Sequence, residues 1–209
     1  MFTRIAALTI VTAVVWSLAA VGTPASARPA PCRGSWSLGV GGFTFGLSTG
    51  GRQDSRYMVA DEHVEYNTFQ PKSGVREVNR LFWAHRRACP DDHIKLIGHS
   101  EGAAVVHAWV SAHQRVANAD AVLIADPKRA AGPGGPGLAA TIITFLVGEP
   151  LVGTDANFGA FPVLSVCNRD DVVCNINAGW SGYLIRNAHG AYHLDAAHYP
   201  DNASGTWYR

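Results

Sequence analysis

Charge is scarce in this chain, and no stretch of it is strongly one-signed. Only 16% of its 209 residues are charged, the formal net charge is +1, and there is neither a basic run nor an acidic tail. That removes the electrostatic case for a nucleic-acid partner. Metal patterns are missing too. No C-x-x-C pair and no H-E-x-x-H run occur, so neither a zinc ribbon nor a zinc protease is indicated. No internal repeat is visible, and the one low-complexity stretch is "AAGPGGPG" at 130–137, which must be a loop. Past the N-terminus no apolar run is long enough for a membrane span; "LAATIITFLV" at 138–147 is too short.

The N-terminus is the exception. A short positive start at 1–4 leads into an almost wholly apolar run at 5–21, and "GTPASA" then supplies small residues ahead of Arg28. This is the pattern of a secretory signal cleaved after Ala25, Ser26 and Ala27. An uncleaved anchor is the rival reading. The short apolar run and the small-residue exit favour cleavage. The expected organisation is a signal at 1–27 and one domain at 28–209, long enough for a sizeable core. The chain carries four cysteines, Cys32, Cys89, Cys167 and Cys174. An even number in an exported chain points to two disulfides, with three pairings open. Cys167 and Cys174 can close a small loop, which leaves Cys32 with Cys89.

Apolar patterning gives the elements. "SWSLGVGGFTF" at 35–45 reads as a first core strand running into a glycine-rich turn, and "HVEYNTF" can hold a short strand. From Ser73, Val75, Val78, Leu81 and Phe82 fall on one face of an amphipathic helix. Pro90 ends it. "HIKLIGHS" is a strand, and the helix after Ser100 is apolar nearly all round, so it should be buried. "AVLIAD" and "FPVLSVC" are further strands. The alternation predicts an α/β fold with a mostly parallel sheet covered on both faces.

Gly98-His99-Ser100-Glu101-Gly102 matches G-x-S-x-G, with a strand before it and a helix after it. In that setting the serine sits in a strained turn, poised as a nucleophile. The plain alternative is an ordinary helix N-cap. An activated serine needs a base and an orienting acid, and in this turn type they follow in the order acid, histidine. Asp170 and Asp171 lie between Cys167 and Cys174; His189, His193 and His198 come next, with Asp195 among them.

Taken together, these residues resemble the cutinase family of secreted α/β-hydrolases. Cys89-Pro90 stands ahead of the strand as in the family's C-P lead. G-H-S-E-G-A corresponds to G-Y-S-Q-G-A. The loop from Cys167 to Cys174 fits C-x-x-x-D-x-V-C, and Ala188-His189-Gly190-Ala191-Tyr192 fits [AP]-H-x-x-Y. The resemblance implies an α/β-hydrolase three-layer sandwich and a serine esterase acting on a lipid or other ester. It implies Ser100 as nucleophile, His189 as base in preference to His193, and Asp171 as orienting acid. It also implies an oxyanion hole from the N–H of Glu101 with Phe43 or Thr44 standing in for the family's early Gly-Ser/Thr motif. No cofactor or metal is expected, and a secreted monomer is. Two departures stand out: Glu101 replaces the usual glutamine, and 126–161 is longer and more apolar than a family core requires. An acyltransferase with the same triad, or a lipid- or wall-binding protein with a decayed one, are the rival functions. The Gly/Pro loop and the apolar run after it are the candidate flap or acyl-pocket wall, an ordinary buried helix being the alternative.

Overall fold

Strands whose residues are apolar on both sides need cover on both sides, and the two central strands here are of that kind. The computed structural model describes residues 32–44, 59–141, 152–192 and 195–209. The expected signal at 1–27, most of the apolar run past residue 141, and His193 lie outside the described residues. β3 (His93–His99) and β4 (Ala119–Ile124) are buried at every position. They sit in the middle of a six-stranded sheet with β1 (Ser35–Val40), β2 (Glu62–His63), β5 (Val163–Cys167) and β6 (Gly205–Tyr208). The order is β2-β1-β3-β4-β5-β6 and every pairing is parallel.

α1 (Pro71–Ala88) begins two residues before the expected Ser73, because Pro71 supplies a favourable first helical position. Its last turn carries His85, Arg86 and Arg87, which suit the negative end of the helix dipole. It buries Val78, Leu81 and Phe82 in a cluster with Leu38, Leu96, Val106 and Trp109. α2 (Glu101–Ala112) contributes Trp109 and is buried over most of its surface, as its composition predicts. Both helices cover one face of the sheet. On the other face Ile97, Val122, Ile124 and Val166 pack under Tyr192 and Ala196 of the C-terminal segment.

Two disulfides close the frame. Cys32–Cys89 spans 57 residues and ties the chain ahead of β1 to the end of α1; Cys167–Cys174 spans 7 and closes the loop after β5. These are the expected pairs. β6 was not legible in the sequence. The short strand expected within "HVEYNTF" comes earlier, at Glu62–His63, and the residues after it form a loop that buries Val64 and Tyr66.

Candidate active site

A parallel sheet presents its binding crevice at the carboxyl ends of its strands. Here β1, β3 and β5 each deliver a loop to that edge. After β3 the chain turns through Ser100, whose φ of 57° and ψ of −125° are unusual for a residue with a side chain. Backbone strain of this kind persists only where the surroundings over-determine it. The determinants are visible. Ser100 N–H donates to Ile124 O at 2.9 Å, and Ser100 O accepts from Ala103 and Ala104. Gly102 lets α2 start flush against the end of β1, since a Cβ there would lie 2.0 Å from Val40 O. Gly42 lets the turn after β1 pass beside the serine, since its Cβ would lie 2.8 Å from Ser100 Cβ. Ser100 Oγ makes no cap to the helix, so the plain capping role is not what it has.

Instead Ser100 Oγ lies 2.9 Å from His189 Nε2, and His189 Nδ1 lies 2.8 Å from Asp171 Oδ2. A carboxylate accepts, so Nδ1 carries the proton and Nε2 offers its lone pair to the serine hydroxyl. That arrangement can take the hydroxyl proton as the oxygen attacks.

The loop after β5 holds the acid. Asp171 is fully buried and meets three donors: His189, the Tyr192 hydroxyl at 2.8 Å on the same oxygen, and Val173 N–H at 3.0 Å on Oδ1. Asp170 turns outward toward Arg186. The aspartate pair thus divides into one buried and one solvated member. Asn168 Nδ2 donates to Ala188 O at 3.2 Å, and Asn168 N–H donates to Tyr192 Oη. The acid loop and the histidine loop are therefore tied by side-chain-to-backbone bonds as well. His198 pairs with Asp195 in an exposed contact.

His99, one residue before the serine, is a group the sequence reading did not single out. Its ring lies 4.7 Å from that of His189, and Nε2 donates to His189 O at 3.3 Å. Burial, and then the neighbouring imidazole, lower its pKa to about 3, so it stays neutral and does not compete as a base. Tyr183 places its ring 5.0 Å from His189 on the outer side.

Phe43 and Thr44 lie on the turn beside Ser100; the Phe43 ring meets Phe69 edge-on, and Thr44 O accepts from Thr68 Oγ1. Glu101 starts α2, so its N–H belongs to the first turn, where amides have no partner within the helix. Its carboxyl is buried, and its Oε1 has no hydrogen-bond partner. Burial raises the Glu101 pKa to about 7 against an opposing contribution from Tyr66.

Among the described residues, one cluster of metal-ligand type without disulfide cysteines is His93, Asp120 and Asp201, at the opposite end of β3 from Ser100. Lys95 Nζ stands there, 3.1 Å from Asp201 and 3.6 Å from Asp120. The ammonium supplies the positive charge these carboxylates face.

The cutinase family model matches residues 51–201, a span containing Ser100, Asp171 and His189. The chain belongs to the cutinase family. A solved structure described as a novel cutinase-like protein from Cryptococcus sp. superposes with a TM-score of 0.53 at 15% identity, covering 77% of this chain and 87% of that one. At that identity the likeness concerns the fold. A search of curated proteins found no match. Cutinase membership supports an esterase-like hydrolase, and among the described residues no helix is long and apolar enough to cross a membrane.

Proposed function

We propose that this cutinase-family protein is a secreted serine esterase that works through an acyl-enzyme on Ser100. The observation that carries the reading is the unbroken chain from Ser100 Oγ through His189 to buried Asp171, at 2.9 and 2.8 Å. A decayed binder would be expected to have lost one of these side chains or one of these bonds.

His189 Nε2 takes the Ser100 proton as Oγ bonds to the ester carbonyl carbon. The carbonyl π electrons move to oxygen, which the N–H of Glu101 and a donor of the Phe43–Thr44 turn stabilise. The tetrahedral species collapses, the ester C–O bond breaks, and His189 returns the proton to the leaving alcohol. Water then repeats the sequence on the acyl-enzyme and frees the acid. Asp171 holds the imidazole in the required tautomer throughout. Exposed Phe43 and Phe69, which meet edge-on, and Tyr183, whose ring lies 5.0 Å from that of His189, offer apolar surface that suits an acyl or lipid substrate. Export fits the two disulfides, which persist in oxidising compartments.

A series of p-nitrophenyl esters of increasing acyl length tests the reading. Turnover that varies with chain length and vanishes in Ser100→Ala is expected. Absence of turnover across the series, or equal turnover in Ser100→Ala, would overturn it.

A further inference from the structure

A histidine is an unexpected residue at the end of a strand that is buried at every position. Side chains alternate between the faces of a sheet, so His99 falls on the same face as Ile97, the face covered by the C-terminal segment. An apolar side chain would pack there beside Tyr192 with no polar group to satisfy. A buried imidazole costs free energy unless it is hydrogen-bonded. His99 meets that need on the histidine loop. Its Nε2 donates to His189 O at 3.3 Å, and its ring lies 4.7 Å from the His189 ring and 6.1 Å from that of Tyr192.

This bond is one of two on consecutive carbonyls. Ala188 O accepts from Asn168 Nδ2 at 3.2 Å, and Asn168 belongs to the loop that carries Asp171. His189 O accepts from His99, the residue before Ser100. The strand bearing the serine and the loop bearing the aspartate thus each hold a carbonyl of the segment bearing the base. Asp171 orients the imidazole at Nδ1, but the ring still moves with its own backbone. The serine turn is not free to follow such a movement, because Ser100 N–H is bonded to Ile124 O. We infer that His99 is a positioning residue for the base: by holding the His189 carbonyl from the end of the strand that displays Ser100, it fixes the distance from His189 Nε2 to Ser100 Oγ.

The role needs a proton on Nε2, since a carbonyl can only accept, and it is best served by a neutral ring. Burial, and then the His189 imidazole, hold the His99 pKa down to about 3, against the opposing effects of the His189 carbonyl and Asp171. A charged ring there would resist the positive charge that His189 acquires with the serine proton. His99 therefore acts through His189 and not on the ester.

The effect on rate rests on the esterase reading, but the hydrogen bond can be followed without turnover. Nitrogen-15 NMR of the folded wild type should show the His99 ring neutral, with its proton on Nε2, from about pH 5 to about pH 8, the range in which an ordinary histidine titrates. In stopped-flow acylation by an activated ester, His99→Phe keeps a ring and loses the donor. Its acylation rate constant should fall about threefold to tenfold, the worth of one hydrogen bond, with the apparent affinity for the ester little changed. His99→Gln, whose amide offers a donor in place of Nε2–H, should recover most of that loss. A His99→Phe variant that acylates at the wild-type rate, a His99→Gln variant as slow as His99→Phe, or a wild-type His99 ring that titrates in this range or carries its proton on Nδ1 would overturn the inference. Absence of turnover in every protein, the wild type included, would overturn the esterase reading instead, and the NMR tautomer would still decide the hydrogen bond.

Discussion

The Tyr192 hydroxyl donates to Asp171 Oδ2 at 2.8 Å, and His189 Nδ1 faces the same oxygen at the same distance. The tyrosine therefore holds the oxygen that faces His189, while Val173 N–H holds the other. Tyr192→Phe removes a hydrogen bond to a buried acid, an interaction worth about 1.5–3 kcal/mol when the partner is charged. It should lower the denaturation midpoint and reduce kcat/KM roughly tenfold. Urea unfolding and steady-state kinetics on the same variant check this; movement in neither would show that Val173 and His189 suffice to hold Asp171.

The two disulfides should differ in what their loss costs. Chain-entropy reasoning assigns about 4 kcal/mol to a loop the length of Cys32–Cys89 and about 2.5 kcal/mol to one as short as Cys167–Cys174. The short bond lies under Asp171, so the paired change Cys167→Ser and Cys174→Ser should harm activity more than stability. The Cys32–Cys89 pair should show the reverse. Thermal unfolding beside ester turnover for both double variants separates the cases.

Glu101 also predicts a pH dependence of stability. Its folded pKa, about 7, lies above its ordinary 4.5, so the folded state binds the extra proton in that interval. The contribution is fully present below about pH 4.5, declines as pH rises, and is lost above about pH 7. Its size is on the order of 3 kcal/mol. Glu101→Gln should therefore gain relative to wild type between acid and neutral pH. Equal slopes of unfolding free energy against pH in the two proteins would contradict this.

A second buried histidine acts in a different window. His107, fully buried on α2, has Nδ1 2.7 Å from Asp126 Oδ2 and Nε2 3.0 Å from Asp155 Oδ1. Burial opposes its charge, but the two carboxylates outweigh burial and raise its pKa above 6.5. Stability from this clasp is complete below about pH 6.5 and lost as pH rises through the raised value. Asp155→Asn should weaken the loss on the alkaline side while leaving the Glu101 window untouched. Melting temperatures across pH distinguish the two groups.

Much of this site was legible because local chemistry marks it. The strand-glycine-serine-glycine pattern located Ser100, and the cysteine spacing around Asp171 located the acid. Tyr66 was not legible: its hydroxyl finds Gly41 O only once the loop before α1 folds against the end of β1. His99 reads as one more polar residue in a buried strand until the His189 loop folds onto it. β6 escaped because "GTWY" is short and lacks an apolar run; it is a strand through its pairing with β5. The Gly/Pro stretch was legible as a loop, but not its anchoring, in which Arg129 donates to Gly135 O and Asn175 Oδ1 accepts from Gly135 N–H.

The central claim is that Ser100 is the nucleophile and His189 activates it. Fluorophosphonate labelling followed by peptide mass spectrometry tests this most directly. A single adduct on the peptide containing Ser100 is predicted, absent in Ser100→Ala and formed at least a hundredfold more slowly in His189→Ala, within the ~10²–10⁴-fold range of general-base catalysis. An unlabelled wild-type protein, an adduct on another residue, or labelling at full speed without His189 would contradict the account.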